Sequence, residues 1–142
     1  MNHLLKGAWS ALGTLAAWLC WALGGWDGAL QMLFLIMALD LLTGLLCAAN
    51  GKSGKTAGGG FLSGAFFTGL TRKLMVMGLV MLAAALDRLL GTQGVSRLAV
   101  IGFYAANEGL SIVENAALLG LPFPRSVLMM LEKMRDQETK EG

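Results

Sequence analysis

The chain has 142 residues, of which 56% are hydrophobic and 14% charged, and its mean hydropathy is +0.64. Soluble domains average roughly 45–50% apolar and about 25% charged residues, so this composition excludes a disordered chain, a nucleic-acid-binding domain and a conventional soluble enzyme. The net charge of +2 is too small to imply an acidic partner, and the apolar residues lie in blocks, as membrane spans require.

The first block runs from Leu4 to Gly25, with Trp9 near one end and Trp26 just past the other. Tryptophan prefers the lipid–water boundary. The stretch between them covers about 25 Å as a helix, slightly thin for a hydrocarbon layer of roughly 30 Å. A cleaved signal peptide is the rival reading: Lys6 gives a basic start, Ala11–Leu23 an apolar region, and Ala22-Leu23-Gly24 a small-residue cleavage pattern. The block therefore spans, lies flat or is removed.

Ala29–Ala49 is the second block, with Asp40 at its middle. Its Leu, Phe34 and Ile36 contribute roughly −5 kcal/mol on the insertion scale against about +3 for one central acid, so it inserts despite the charge. Asp40 and Thr43 lie about one turn apart, a pair suited to cap a neighbouring helix or to hold a cation. Residues 50–60, NGKSGKTAGGG, form a flexible basic loop. A phosphate-binding loop ending at Gly54-Lys55-Thr56 would need Gly at position 49, where Ala stands, and a preceding strand. Residues 61–71, with Phe61, Phe66 and Phe67, lie in the membrane interface or extend the next helix. Arg72-Lys73 marks a charged boundary, and 74–90 is the third span, with Asp87-Arg88 near its far end at the headgroups.

After a polar turn at Gly91–Arg97 the last block, 98–121, ends at Leu121-Pro122-Phe123-Pro124, where each Pro removes a donor and disfavours helix before it. Residues 125–137 predict an amphipathic helix with Val127, Met130, Leu131 and Met134 on one face and Glu132, Lys133, Arg135 and Asp136 elsewhere. The tail to Gly142 is charged. With four spans, Lys6, Lys52, Lys55, Arg72, Lys73, Arg125, Lys133, Arg135 and Lys140 fall on one side. Asp27, Asp87, Arg88 and Arg97 fall on the other. The positive-inside rule then puts both termini in the cytoplasm.

The last span is the informative one. Glu108 and Glu114 cost about +3 kcal/mol each if charged near the bilayer centre, so this helix needs protein or water beside it. On a wheel, Tyr104, Asn107, Glu108, Ser111, Glu114 and Asn115 share an arc of about 120°. Roughly opposite lie Gly102, Ala105, Gly109, Ala116 and Gly120, a small-residue seam for close helix packing. Three readings of the polar face stand: internal glue bonded to Asp40 or Arg72, a surface exposed to water in an oligomeric lesion, or the coupling path of a transporter. The seam serves packing within the chain or between copies.

One His (His3) and two separated Cys (Cys20, Cys47) give no metal-ligand cluster, and the Cys read as apolar fillers rather than a disulfide. No cofactor motif and no catalytic constellation is visible: Ser111 has no His near it in sequence, and the spacing of the acids selects no reaction.

The run Phe103-Tyr104-Ala105-Ala106-Asn107-Glu108-Gly109-Leu110-Ser111-Ile112-Val113-Glu114-Asn115, followed by Gly120-Leu121-Pro122-Phe123-Pro124 and Leu131-Glu132-Lys133, resembles the phage holin family that includes holin-like proteins linked to clostridial toxin export. Asp40-Leu41-Leu42-Thr43-Gly44 looks like that family's second-span motif. Arg72-Lys73 and Ala84-Ala85-Leu86-Asp87 look like the start and end of its next span. The resemblance covers residues 30–137, and the Asn-Glu-Gly-Leu-Ser-Ile-x-Glu-Asn run is its most specific part. It implies a protein made late in phage infection that accumulates in the bacterial cytoplasmic membrane, oligomerises with itself at a set time, and opens lesions. These release a cell-wall-degrading endolysin or, in some relatives, a large toxin.

The expectation is therefore an all-α, polytopic membrane bundle of three to four spans (about 4–25, 29–49, 74–90 and 98–121) within a transmembrane domain 1–124. A cytoplasmic helix and tail follow at 125–142. Its partners are membrane lipid, further copies of itself and an endolysin or toxin, without nucleic acid, metal or cofactor. Candidate pore-lining residues are those of the polar arc, and Lys52, Lys55, Arg72 and Lys73 are the cytoplasmic basic boundary. Two alternatives are a small ion or solute transporter using Asp40, Glu108 and Glu114, and a membrane adapter that recruits a partner through its tail.

Overall fold

Five helices follow one another in a computed structural model that describes residues 2–60 and 63–140: α1 (Asn2–Ala22), α2 (Gly28–Ala49), α3 (Ser63–Leu90), α4 (Val95–Leu118) and α5 (Arg125–Lys140). No strand occurs among the described residues, in line with the all-α expectation. Phe61, in the segment expected to be interfacial, lies outside them. Residues 63–71 are the first turns of α3, so that segment extends the helix and Arg72-Lys73 stands well inside it.

The buried positions explain how the helices meet. On α2 they are Leu30, Leu33, Met37, Asp40 and Cys47; Gly44 fills the same stripe, so the steps alternate between three and four residues. On α3, Val76, Val80, Ala83 and Asp87 repeat that spacing. Such a stripe keeps one seam of a helix facing its neighbour over several turns. Helix α4 supplies the shared partner and packs against both α2 and α3. The apolar core joins Leu23, Leu30, Leu33 and Met37 to Val76, Val80 and Ile101, with Tyr104 and Ala105 leaning on it. In lipid the gain comes from close packing rather than from escaping water. Small residues at the contact, among them Ala83, Ala84 and Ala106, bring the backbones together.

The turns follow from local chemistry. Asp27 caps α2 by accepting a hydrogen bond from the Leu30 amide at 3.0 Å. Helix α4 ends in a glycine turn: Gly120 has φ +86°, its amide donates to Ala117 O at 3.0 Å, and the Leu121 amide donates to Ala116 O at 3.0 Å. Pro122 and Pro124 then prevent continuation.

Helices α1 and α5 are peripheral. No side chain of α1 is buried; it touches α3 and leaves Trp9, Trp18 and Trp21 exposed. Helix α5 packs against α4. Of its expected apolar face, Val127 and Met130 are exposed, while the side chains of Leu131 and Met134 lie outside the described set. Among the described residues, α2 is the one helix long and apolar enough to cross a membrane by composition alone. A count of three or four spans therefore requires α1, α3 and α4 to cross with their polar groups covered by neighbours, and belongs to the proposal below.

Candidate functional site

The bundle carries polar groups in two layers, one at each end of its apolar core. At the end near residues 50–60, three helices each contribute one charge. Lys73 of α3 donates to Asp40 Oδ2 of α2 at 2.8 Å and also to Glu108 Oε2 of α4. All three side chains are nearly buried, at 11%, 7% and 14% exposure respectively. Each lies on the packing stripe of its helix, which is why the three meet. Two acids and one base leave the cluster one negative charge in excess. Asp40 Oδ1 is buried and accepts no hydrogen bond. Lys55, from the loop, stands 3.9 Å from it, beyond hydrogen-bond reach.

Below this triad the polar chain continues along α2 and α4. Asn115 Nδ2 donates to Thr43 Oγ1 at 3.0 Å, and Thr43 Oγ1 donates to Asp40 O at 3.1 Å. Cys47 Sγ donates to Asn115 O at 3.3 Å, so this buried thiol is a helix-contact group. A Cβ on Gly44 would meet Asn115 Nδ2 at 3.8 Å, ordinary contact. Beside the triad lies a cavity of about 280 Å³. Asp40, Glu108, Ser111 and Asn107 form its polar wall, Leu41, Leu45 and Phe66 part of its apolar wall, and Lys55, Arg72 and Glu114 also line it.

The second polar layer sits at the other end. Arg97, buried on α4, grips the α1–α2 turn: Nη1 donates to Asp27 Oδ2 at 2.6 Å, Nη2 to Asp27 Oδ1 at 3.1 Å and to Gly25 O at 3.0 Å, and Nε to Leu23 O at 2.5 Å. This forked donor set is what guanidinium provides and ammonium does not. Gly24 is required here, because its φ is +84° and a Cβ would lie 2.7 Å from Arg97 Cδ and Nε. Asp87 organises the start of α4 by accepting from the Ser96 amide at 2.9 Å, the Arg97 amide at 2.8 Å and Thr92 Oγ1 at 2.5 Å. Arg88 donates to Trp21 O and lies 4.2 Å over the Trp21 ring, which ties α1 to α3. The Arg97 bond holds the Asp27 carboxyl below its ordinary value, with the Leu30 amide acting the same way against partial desolvation.

The polar arc expected on the last span is therefore divided. Asn107, Glu108, Ser111 and Glu114 line the cavity, Asn115 turns to Thr43, and Tyr104 leans on the apolar core with its ring edge-on to Phe103. Of the small-residue seam, Ala105 packs on the core, while Gly102, Gly109 and Ala116 are half-buried. Gly120 is not on the helix surface at all but in the turn that ends it. Of the basic boundary, Lys52 and Arg72 are exposed, whereas Lys73 is turned into the bundle by the two acids that neutralise it. The Arg97–Asp27 clamp was not singled out by sequence reasoning. Its signal was an Arg and an Asp at two turns assigned to the same side.

Residues 17–136 match the family model described as the bacteriophage holin family. An uncharacterized 14.9 kDa protein of Clostridium perfringens is 34% identical over 140 residues, covering 97% of both chains. An uncharacterized protein of Halalkalibacterium halodurans is 33% identical over 146 residues, covering 99% of this chain and all of the relative. A probable holin of Bacillus phage phi105 is 31% identical over 115 residues, covering 79% of this chain and 80% of the relative. No solved structure matches the chain.

Proposed function

The chain belongs to the bacteriophage holin family, and from that premise we propose that it assembles with copies of itself in the bacterial cytoplasmic membrane and opens lesions that release an endolysin, or a large toxin, at a set moment. A holin-type role at the membrane follows from the family. Self-assembly, timing and cargo belong to the proposal.

The observation that carries this reading is the buried bridge of Asp40, Lys73 and Glu108 across three helices. A charge in hydrocarbon costs several kcal/mol unless it is paired or wetted. One copy supplies pairing through Lys73. A ring of copies supplies water instead, once the face of α4 with Asn107, Glu108, Ser111 and Glu114 turns to a lumen. The same charges thus have two acceptable settings, one closed and one open, and the density of copies shifts the balance between them. Loss of membrane potential biases such a change by about 2.3 kcal/mol per elementary charge per 100 mV. The spans are α1 to α4, with both termini and residues 50–60 in the cytoplasm. The transporter and adapter alternatives gain no specific support.

The test is expression of the full chain in bacteria with a cytoplasmic endolysin. Abrupt lysis that requires both proteins is expected, with Glu108→Gln changing its onset. Stable insertion of the chain without endolysin release overturns the reading.

A further inference from the structure

The cavity beside the triad has unpaired charge of both signs. In its lining, Asp40 Oδ1 is buried and accepts no hydrogen bond, with the Lys55 ammonium 3.9 Å away as a longer ion-pair partner. Among the described residues, Glu114 and Arg72, both exposed along its lining, form no ion pair within 4.0 Å. Lys55 reaches over from the loop, 56% exposed and without a hydrogen bond from its ammonium. A simple anion here would be repelled by Asp40 and Glu114, and a simple cation by Arg72 and Lys55. A ligand that carries both charges satisfies both halves. The volume of about 280 Å³ is far more than the roughly 10–15 Å³ that a single water needs, and it lies near the small end of ligand pockets. The other wall is apolar, with Leu41, Leu45 and Phe66.

We propose that this cavity binds the headgroup of an aminophospholipid, its phosphate at Lys55 and Arg72 and its primary ammonium at Asp40 Oδ1 and Glu114. The ammonium donates the hydrogen bond that Oδ1 lacks, while Lys55, on its long flexible stem, swings from above Asp40 to the phosphate. The apolar wall receives the first carbons of the acyl chains. Phosphatidylcholine keeps both charges but has no N–H to give, and phosphatidylglycerol has the phosphate without the ammonium, so the site discriminates against each. The inference rests on residence in a membrane and not on lesion formation.

Soluble glycerophosphoethanolamine, a phosphodiester, carries the same pair of charges, so the test separates the two sources. Full-length protein is delipidated in mild detergent and exposed to equimolar phosphatidylethanolamine, phosphatidylcholine and phosphatidylglycerol. Bound lipid is then read by native mass spectrometry. Retention of phosphatidylethanolamine over phosphatidylcholine by about tenfold is expected, the value of one charge-assisted hydrogen bond. Retention should fall stepwise along the series of N-methylated phosphatidylethanolamines, which changes the ligand and leaves the protein intact. Arg72→Gln and Glu114→Gln, checked for unchanged helix content, should each reduce retention severalfold. Equal retention of the ethanolamine and choline lipids, or preference for phosphatidylglycerol, overturns the proposal. So does displacement of bound lipid by soluble glycerophosphoethanolamine at equal concentration, whereas persistence against it supports the lipid as source. None of these readings involves lysis, so a failed lysis assay and a failed lipid assay point to different errors.

Discussion

Lys73 is the residue on which the interior charge turns. Among the described residues it is the one base that donates to both Asp40 and Glu108. Removing one member of a buried ion cluster leaves its partners charged and unpaired, which costs about 3–5 kcal/mol. Lys73→Met should therefore lower the thermal unfolding midpoint sharply in detergent, and adding Asp40→Asn with Glu108→Gln should restore much of it. Unchanged stability of the single variant would show that the acids find other partners. Asp27 gives a pH dependence with a definite sign. Its carboxyl is held below its ordinary value of 3.8, chiefly by Arg97. Its stabilising contribution is complete above that value and lost as pH falls through the lower folded one. The unfolding midpoint should drop in that acid window, and Asp27→Asn should flatten the drop. Half-exposed as Asp27 is, the effect is modest. The sequence exposed the acids of this site but not their partner. Asp40 and Glu108 stand out in apolar runs, whereas Lys73 follows Arg72 and reads as the charged boundary before a span. Only the register of α3 tells which of the two adjacent bases faces inward.

Elements were more legible than their ends. The second block, expected at 29–49, is α2 at Gly28–Ala49, because a long leucine-rich run leaves few alternatives. Composition starts the third span at 74, yet α3 begins at Ser63. Charged residues end a membrane span in a composition count, but a helix continues through them when a neighbouring helix supplies the counter-charge. Helix α1 stands apart in the fold: it buries no side chain and is held through Arg88 on Trp21 and through the turn that Arg97 grips. A chain shortened to begin just before Leu23 keeps every residue of the core. It should insert and unfold within a few degrees of the full chain, with altered lysis onset. A large loss of stability on this truncation would assign α1 to the core instead. The few degrees correspond to about 1 kcal/mol or less for a domain of this size.

At the scale of the whole molecule, Asp27 of the α1–α2 turn and Arg97 of α4 at one end and the Lys55–Asp40–Lys73 group at the other follow the charge distribution that sets the proposed orientation. In a chain with Cys20 and Cys47 replaced by Ala, a single Cys at Ser53 should react with an impermeant thiol reagent only after the membrane is opened. A single Cys at Thr92 should react from outside in intact cells. The reverse pattern would invert the topology.

Arg97 and Glu108 are eleven residues apart on α4, so the charged layers are separated by only about 17 Å of helix. Between them the interior is hydrocarbon side chain: Leu33, Met37, Val76, Val80 and Ile101. With the bundle upright in a layer of about 30 Å, this slab is the thinnest insulator along the protein's own axis, and the resting voltage falls most steeply across it. The molecule then behaves as a small capacitor whose plates are its two ionic layers. A destabilised slab, such as one with a polar residue at Val80, should leak ions before it passes any protein.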